Sequence, residues 1–311
     1  MAGKEEVIIN HFQCTATFFR HMKVQRTTRF KDTRRCSAPQ HFYMTNSIPF
    51  FKYQGAGNDF VMVDNRTGIF PDASDAKLIA HLCDRRFGIG ADGLILLEEV
   101  PDFDFRMVYF NADGREGSMC GNGGRCTVAF ARALGIIGEH CRFLAVDGPH
   151  EASISAPDWV ELKMADVASV TQLPNGDYVL NTGSPHYVQF VEQLDGWPVT
   201  EKGQAIRYSE AFREQGINVN FVAAAAEGIG VFTYERGVEA ETLSCGTGVT
   251  ASAIAAYLKN PAPAAANVPI TTKGGQLRVR FKPVGNRFED VWLCGPAVQV
   301  FEGIFRNSTA A

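Results

Sequence analysis

Two segments of this chain share one layout, and any fold must accommodate both. Phe105 to Phe110 reads as a strand and runs into the polar loop Asn111-Ala112-Asp113-Gly114. Cys120-Gly121-Asn122-Gly123-Gly124 follows, then an Ala-rich helix predicted over Arg125 to Leu134 and stopped by Gly135. Val231 to Tyr234 reads as a second such strand, followed by Glu235-Arg236-Gly237. Cys245-Gly246-Thr247-Gly248 then opens another Ala-rich helix, Val249 to Leu258, ended by Asn260-Pro261. A repeat reveals architecture before any single element does. This one predicts two similar α/β halves, each with a cysteine at the start of a buried helix.

The 311 residues leave room for two domains. The first half opens with strands at Phe50 to Tyr53 and Phe60 to Val63 around the turn Gly55-Ala56-Gly57-Asn58-Asp59. A helix is expected from Ser74 as N-cap to Arg85, with Leu78, Ile79 and Leu82 on one face. Gly88 to Gly93 leads into the apolar strand Leu94 to Leu97. A polar stretch at Met164 to Thr171 marks the boundary, and Val291 to Ile304 alternates as a strand expected to return to the first domain. The expected division is residues 48–166 with about 292–306 as the N-terminal domain, and 167–291 as the C-terminal domain. Residues 1–47, basic and without a sustained period, form an extension. Three readings apply to it: a disordered arm, a transit peptide, or untranslated sequence upstream of a start at Met44, the last being favoured.

Composition excludes several classes. The net charge of −4 exerts no pull toward nucleic acid or an anionic membrane, and no apolar run approaches a membrane span. None of the eight cysteines forms a CxxC pair or sits at zinc-finger spacing from a histidine, so no metal is expected. The expectation is free thiols in a reducing cytoplasm. Cys83, Cys126, Cys141 and Cys294 read as small buried hydrophobes.

A cysteine just before a helix can do more. The first backbone N–H groups lack intrahelical partners, and the helix dipole makes that end partly positive. Such a site is expected to depress the thiol below its free pKa of roughly 8.5. The following glycines let a ligand approach, and the same N–H groups can hold a carboxylate. A lone Cys-Gly-x-Gly is more often a helix cap beside a buried cysteine, or a phosphate loop. Two of them permit inversion of a stereocentre, one thiolate removing a proton from one face while a thiol delivers one to the other. Charge on the adjacent carboxylate would be stabilised by the helix ends, each donor by about 2.7–4 kcal/mol by analogy with oxyanion holes.

At these residues the sequence resembles the diaminopimelate epimerase family. The motifs are Gly55 to Phe60, Gly88 to Gly93, Phe110 to Gly114, Met119 to Arg125, Gly183-Ser184-Pro185-His186, Asn218 to Phe221, Tyr234 to Gly237 and Ser244 to Gly248, in the family's order from about Ile48 to the end. The resemblance implies an α/β fold of α+β type: two pseudo-symmetric domains, each a mostly antiparallel curled sheet around a central helix, with the active site in the cleft between them. It implies cofactor-independent conversion of LL-2,6-diaminopimelate to meso-diaminopimelate, in lysine and peptidoglycan precursor synthesis. Cys120 and Cys245 would be the acid/base thiols. Gly121, Asn122, Gly246 and Thr247 would hold the reacting carboxylate through backbone N–H groups. Asn58, Asn111, Asn218, Glu235 and Arg236 would bind the substrate's amino and carboxylate groups.

Chemistry supports that set, since Arg236 offers a bidentate fork to the distal carboxylate, and Glu235 and the asparagine carbonyls offer acceptors for ammonium. Outside the resemblance, Glu235-Arg236 is equally a solvated pair in a turn, and Asn58 and Asn111 are equally turn residues. His186 lines the pocket or packs in its loop. Ser184 stands where many members carry Asn, so a contact to the distal amino group is lost or made through water. Gly93 replaces a side chain present in some members, so no side-chain role transfers to it. Oxidation of Cys120 and Cys245 to a disulfide would silence the enzyme. A homodimer is the assembly considered.

Four rivals remain. Proline racemase and hydroxyproline epimerase share the fold and the paired cysteines but usually carry His where this chain has Asn122. They also have no use for a second charged end. A phenazine-type isomerase usually lacks the cysteine pair, and a non-catalytic amino-acid-binding module would have no need of both thiols. A Cys120 hydrolase would need a histidine base, and none of the seven histidines sits in such a motif.

Overall fold

In this computed structural model the described residues are 47–261 and 267–306. The expectation for residues 1–46 lies outside them. The first lobe contains β1 (Ser47–Gly55), β2 (Asn58–Asp64), α1 (Ala76–Cys83), β3 (Gly93–Glu98), β4 (Phe105–Asn111), α2 (Gly121–Ala133), β5 (His140–Ala145), β6 (Gly148–Ala156) and β7 (Trp159–Lys163). After β8 (Val170–Gln172) the second lobe contains β9 (Tyr178–Asn181), β10 (Pro185–Phe190), α3 (Val199–Arg207), β11 (Asn218–Ala224) and β12 (Ile229–Glu235). It continues through β13 (Ala240–Thr242), α4 (Gly246–Lys259), β14 (Asn267–Thr272), β15 (Gly275–Val284) and β16 (Arg287–Pro296), and β17 (Val298–Arg306) closes the chain.

The repeat extends to the strand pairings. β1–β2 is antiparallel, β2–β3 parallel across α1, β3–β4 antiparallel and β4–β5 parallel across α2. β9–β10, β10–β11 across α3, β11–β12 and β12–β14 across α4 repeat that sequence of orientations. The antiparallel runs β5–β6–β7 and β14–β15–β16 also match. The lobes are stitched by β7–β16. The strand after each lobe pairs with the other lobe's first strand: β8 with β9, and β17 with β1.

Each sheet curls around one helix. On α2, residues Asn122 to Val128 are buried without interruption, as are Gly248 to Ala255 on α4. Small or apolar side chains fill most of these two stretches, as suits a helix packed on every side, and Asn122 and Arg125 are the large polar exceptions on α2. Around α2 pack Phe60, Met62, Ile95, Phe105, Met107 and Phe143. Around α4 pack Val188, Val222, Val231, Ile270, Leu277, Phe281 and Phe288. Cys126, Cys141, Cys83 and Cys294 are buried, in line with their reading as hydrophobes.

Three helix starts differ from expectation, that of α4 among them, since it begins at Gly246 and not at the predicted Val249. α1 is capped by Asp75, not Ser74, because the Asp75 carboxylate accepts from the N–H groups of Lys77 and Leu78, each at 3.0 Å. α2 begins at Gly121, four residues before the predicted Arg125, so its glycines lie inside the first turn. Glycine disfavours a helix by about 1 kcal/mol per residue, yet packing requires it here. A Cβ on Gly121 would lie 3.1 Å from Leu293 Cδ2, and one on Gly246 would lie 2.9 Å from the same atom.

Candidate active site

Cys120 and Cys245 are the N-cap residues of α2 and α4, both in extended conformation, φ −105°, ψ 121° and φ −117°, ψ 114°. Each carbonyl accepts the first intrahelical bond, from Gly124 N at 2.7 Å and Val249 N at 2.9 Å. Neither makes a side-chain capping bond, so the first-turn N–H groups stay available to a ligand. The two helix starts meet through bare backbone: a Cβ on Gly246 would sit 3.6 Å from Gly121 Cα, over Leu293 of β16. Both cysteines and both helix N-termini therefore converge where the lobes join.

The expected depression of the thiols is not what the site produces. Burial pushes Cys120 up, and the neighbouring N–H groups of Gly123 and Asn122 offset only part of this. Burial pushes Cys245 up to about 12, with the Glu235 carboxylate adding to it, against the Thr247 hydroxyl and Gly248 N–H. Desolvation disfavours the charged form more than a helix end favours it. Desolvation therefore favours the neutral thiol at both positions, and a thiolate formed here is a strong base. Burial likewise raises Glu235.

The first-lobe side of the cleft is a hydrogen-bonded lattice. Arg125 Nη2 donates to Asn122 Oδ1 at 2.9 Å, Asn122 Nδ2 to Asn58 Oδ1 at 2.6 Å, and Asn58 Nδ2 to Asp92 Oδ2 at 2.9 Å. Asp92 and Asp59 share Arg85, and Lys52 pairs with Asp59 at 2.8 Å. Burial works against the Asp59 charge, but Arg85 and Lys52 outweigh it and hold that carboxyl at about 2. Asn58 is thus largely committed within the protein. Asn111 ends β4 opposite Gly93, which is opposite Phe60, so Asn111 stands at the same end of the sheet as Asn58.

The second-lobe side gathers the rest. Ser184 Oγ accepts from Asn218 Nδ2 at 2.9 Å and from Arg236 Nη2 at 3.3 Å. Asn218 Oδ1 accepts the backbone N–H of Arg236 at 2.9 Å, and Arg236 Nη1 donates to Gln215 O at 3.0 Å. Ser184 therefore aims the guanidinium as well as lining its surroundings. His186 is fully buried, with Nε2 2.9 Å from Thr247 Oγ1 and Nδ1 3.1 Å from Asn220 Nδ2. Thr247 Oγ1 is 3.5 Å from Cys245 Sγ. Among the described residues no group of three or more His, Cys, Asp or Glu side chains is placed to hold a metal ion.

Sequence reasoning missed Arg125, Asp92, Asn220 and Tyr109. Tyr109 explains Gly93: a Cβ there would collide with the Tyr109 ring and the Phe110 carbonyl. The paired glycines Gly93 and Gly117, with Tyr109 between them, were the signal available.

Comparison with known proteins agrees with this geometry. The chain matches the family model described as Diaminopimelate epimerase over residues 50–170 and 178–300. It is 51% identical to a diaminopimelate epimerase of Flavobacterium psychrophilum, over 82% of this chain and 99% of that protein. It is 41% identical to the one from Chlorobaculum tepidum, over 80% and 98%. Among solved structures it resembles a phenazine biosynthesis protein of the PhzF family from Bacillus anthracis, with TM-score 0.65 and 13% identity, over 83% of this chain and 99% of that one. That last likeness bears on the fold alone. With two cysteine-capped helix ends meeting at the lobe junction and relatives matched over nearly their whole length, the chain belongs to the diaminopimelate epimerase family.

Proposed function

We propose that the protein interconverts LL-2,6-diaminopimelate and meso-diaminopimelate without a cofactor, with Cys120 and Cys245 as the acid/base pair. The observation that carries this reading is the meeting of two cysteine-capped helix starts at Gly121 and Gly246. A carboxylate held by the N–H groups of both helices has its Cα between the two caps. One cysteine, as thiolate, removes the α-proton while the other, as thiol, delivers a proton to the opposite face. Burial that raises both thiols strengthens the base, and the carboxylate's growing charge falls on preorganised N–H donors. At the distal end Arg236, aimed by Ser184, takes the second carboxylate, and Glu235 and Asn218 offer acceptors to the ammonium. That second charged cradle favours diaminopimelate over proline or hydroxyproline.

Chiral separation of LL-, meso- and DD-diaminopimelate after incubation tests this. Wild type yields meso product from LL substrate, while Cys120→Ala and Cys245→Ala, folded as wild type by circular dichroism, fall by about 10³-fold or more. Turnover of proline in place of diaminopimelate would refute the substrate assignment.

The cysteines of the described residues are all free, which suits a reducing cytoplasm. Among the described residues no helix is long and apolar enough to cross a membrane. β17 pairs with β1 and exposes Val300, Phe301 and Ile304, an apolar strand suited to a homodimer contact that sedimentation equilibrium would read. The two-lobe division, with β17 counted in the first lobe, belongs to this same reading.

A further inference from the structure

Arg125 is 0% exposed, in the first two turns of α2. It donates to Asn122 Oδ1 at 2.9 Å and, at the outer limit of 3.5 Å, to Gly121 O, while its Nε has no partner. Among the described residues no carboxylate pairs with it. Gly295 on β16 makes room for it: a Cβ there would lie 3.3 Å from Nε and 3.4 Å from Cζ. A guanidinium stays charged at any ordinary pH. A buried charge without a counter-ion is costly, and the positive end of α2 does nothing to relieve it.

The polar chain leading away from Arg125 has a fixed direction. A guanidinium can only donate and the Asp92 carboxylate can only accept, so both amides between them have one possible orientation. In that orientation Asn122 Nδ2 also faces Ser244 O at 3.4 Å, the carbonyl just before Cys245. The amide two residues after one thiol thus touches the residue before the other.

We propose that Arg125 is a positioning residue for both thiols: it fixes the Asn122 amide that ties Asn58 to Ser244, and its unanswered charge awaits the thiolate and the substrate carboxylate. The substrate carboxylate, and the thiolate whenever Cys120 is the base, bring negative charge to the start of α2. The charged and titratable groups around Cys120 are Glu235 on β12, Tyr109 on β4, Cys245 on α4 and Arg125 itself. Those around Arg125 are Cys126, Cys120 and Cys294. Within these two sets Arg125 is the one cation.

This inference rests on the two-thiol reading, so its first readout needs no turnover. Alkylation of Cys120 by iodoacetamide is followed against pH by peptide mass spectrometry in wild type, Arg125→Met and Arg125→Lys, together with Tm, kcat and KM. In Arg125→Met the alkylation midpoint rises by about one pH unit, about tenfold less thiolate at a given pH. Its kcat falls by about 10- to 100-fold. In Arg125→Lys the charge remains, so the midpoint stays near wild type while kcat falls several-fold for want of the planar fork. A folded Arg125→Met with altered Tm but wild-type midpoint and kcat overturns the proposal and leaves Arg125 a packing residue. Should Arg125→Met not fold, Arg125→Lys decides: a lowered kcat supports the proposal and a wild-type kcat overturns it. A shifted midpoint in a protein that turns over no diaminopimelate would refute the substrate assignment and leave the role of Arg125 standing.

Discussion

His186 Nε2 lies 2.9 Å from Thr247 Oγ1, and the proton between them belongs to the histidine. Asn220 Nδ2 donates to the Tyr187 carbonyl at 3.0 Å, which fixes the amide, so its nitrogen also faces His186 Nδ1 as a donor. Burial drives His186 down to about 3, with the Arg236 charge adding to it, so the ring is neutral and carries its proton on Nε2. Thr247 Oγ1 accepts from His186, which leaves its own proton free to donate to Cys245 Sγ, 3.5 Å away. Among the described residues Cys120 has no such side-chain donor, so the two thiols are inequivalent before substrate binds.

Thr247→Val removes that donor from Cys245. A hydroxyl donating to sulfur favours thiolate, so its loss raises the alkylation midpoint of Cys245, by about one pH unit. The midpoint of Cys120 stays in place, and Thr247→Ser restores that of Cys245. Peptide-resolved alkylation against pH reads all three.

His186 also makes stability depend on pH. Its folded pKa lies below its unfolded value, so its contribution is complete above the unfolded value of about 6.5 and is lost as pH falls from there toward about 3. Between pH 7 and 4.5, urea unfolding of wild type should lose on the order of 2 kcal/mol more than that of His186→Gln. Equal losses in the two proteins would mean that the imidazole is not held neutral.

Arg236→Met leaves the thiols in place and removes the distal fork. A charge-assisted hydrogen bond contributes about 1.5–3 kcal/mol, so kcat/KM for diaminopimelate should fall by about 10- to 100-fold. Initial-rate measurements should place much of the loss in KM.

Because the helix starts meet at Gly121 and Gly246, oxidation should couple the two thiols. Diamide treatment is expected to abolish activity and dithiothreitol to restore it, with the Cys120–Cys245 disulfide seen by peptide mapping. Full activity in protein carrying that disulfide would contradict this.

Much of the site was legible because its signals are local. Cys-Gly-x-Gly before an Ala-rich run marks a cysteine-capped buried helix, and Cys126 is buried as a hydrophobe should be. What was illegible depends on neighbours distant in sequence. The early start of α2 is explained by Leu293 beneath Gly121. The rise of the thiol pKa values comes from burial by both lobes, which a helix end considered alone does not contain. α3 carries Gly203 at its middle, which argues against a helix until Tyr234 is seen packed on it. Arg125 reads as an ordinary polar residue on a helix, and only the fold shows it buried without a carboxylate.

The central claim is that two thiols act on opposite faces of one carbon, and early turnover of LL-diaminopimelate in deuterated water tests it most directly. Proton NMR and mass spectrometry of both pools after a few per cent conversion should find meso product with one deuterium at the inverted α-carbon and recovered LL substrate unlabelled. Product that keeps its original proton, or substrate that gains deuterium as fast as product forms, would contradict the two-base account.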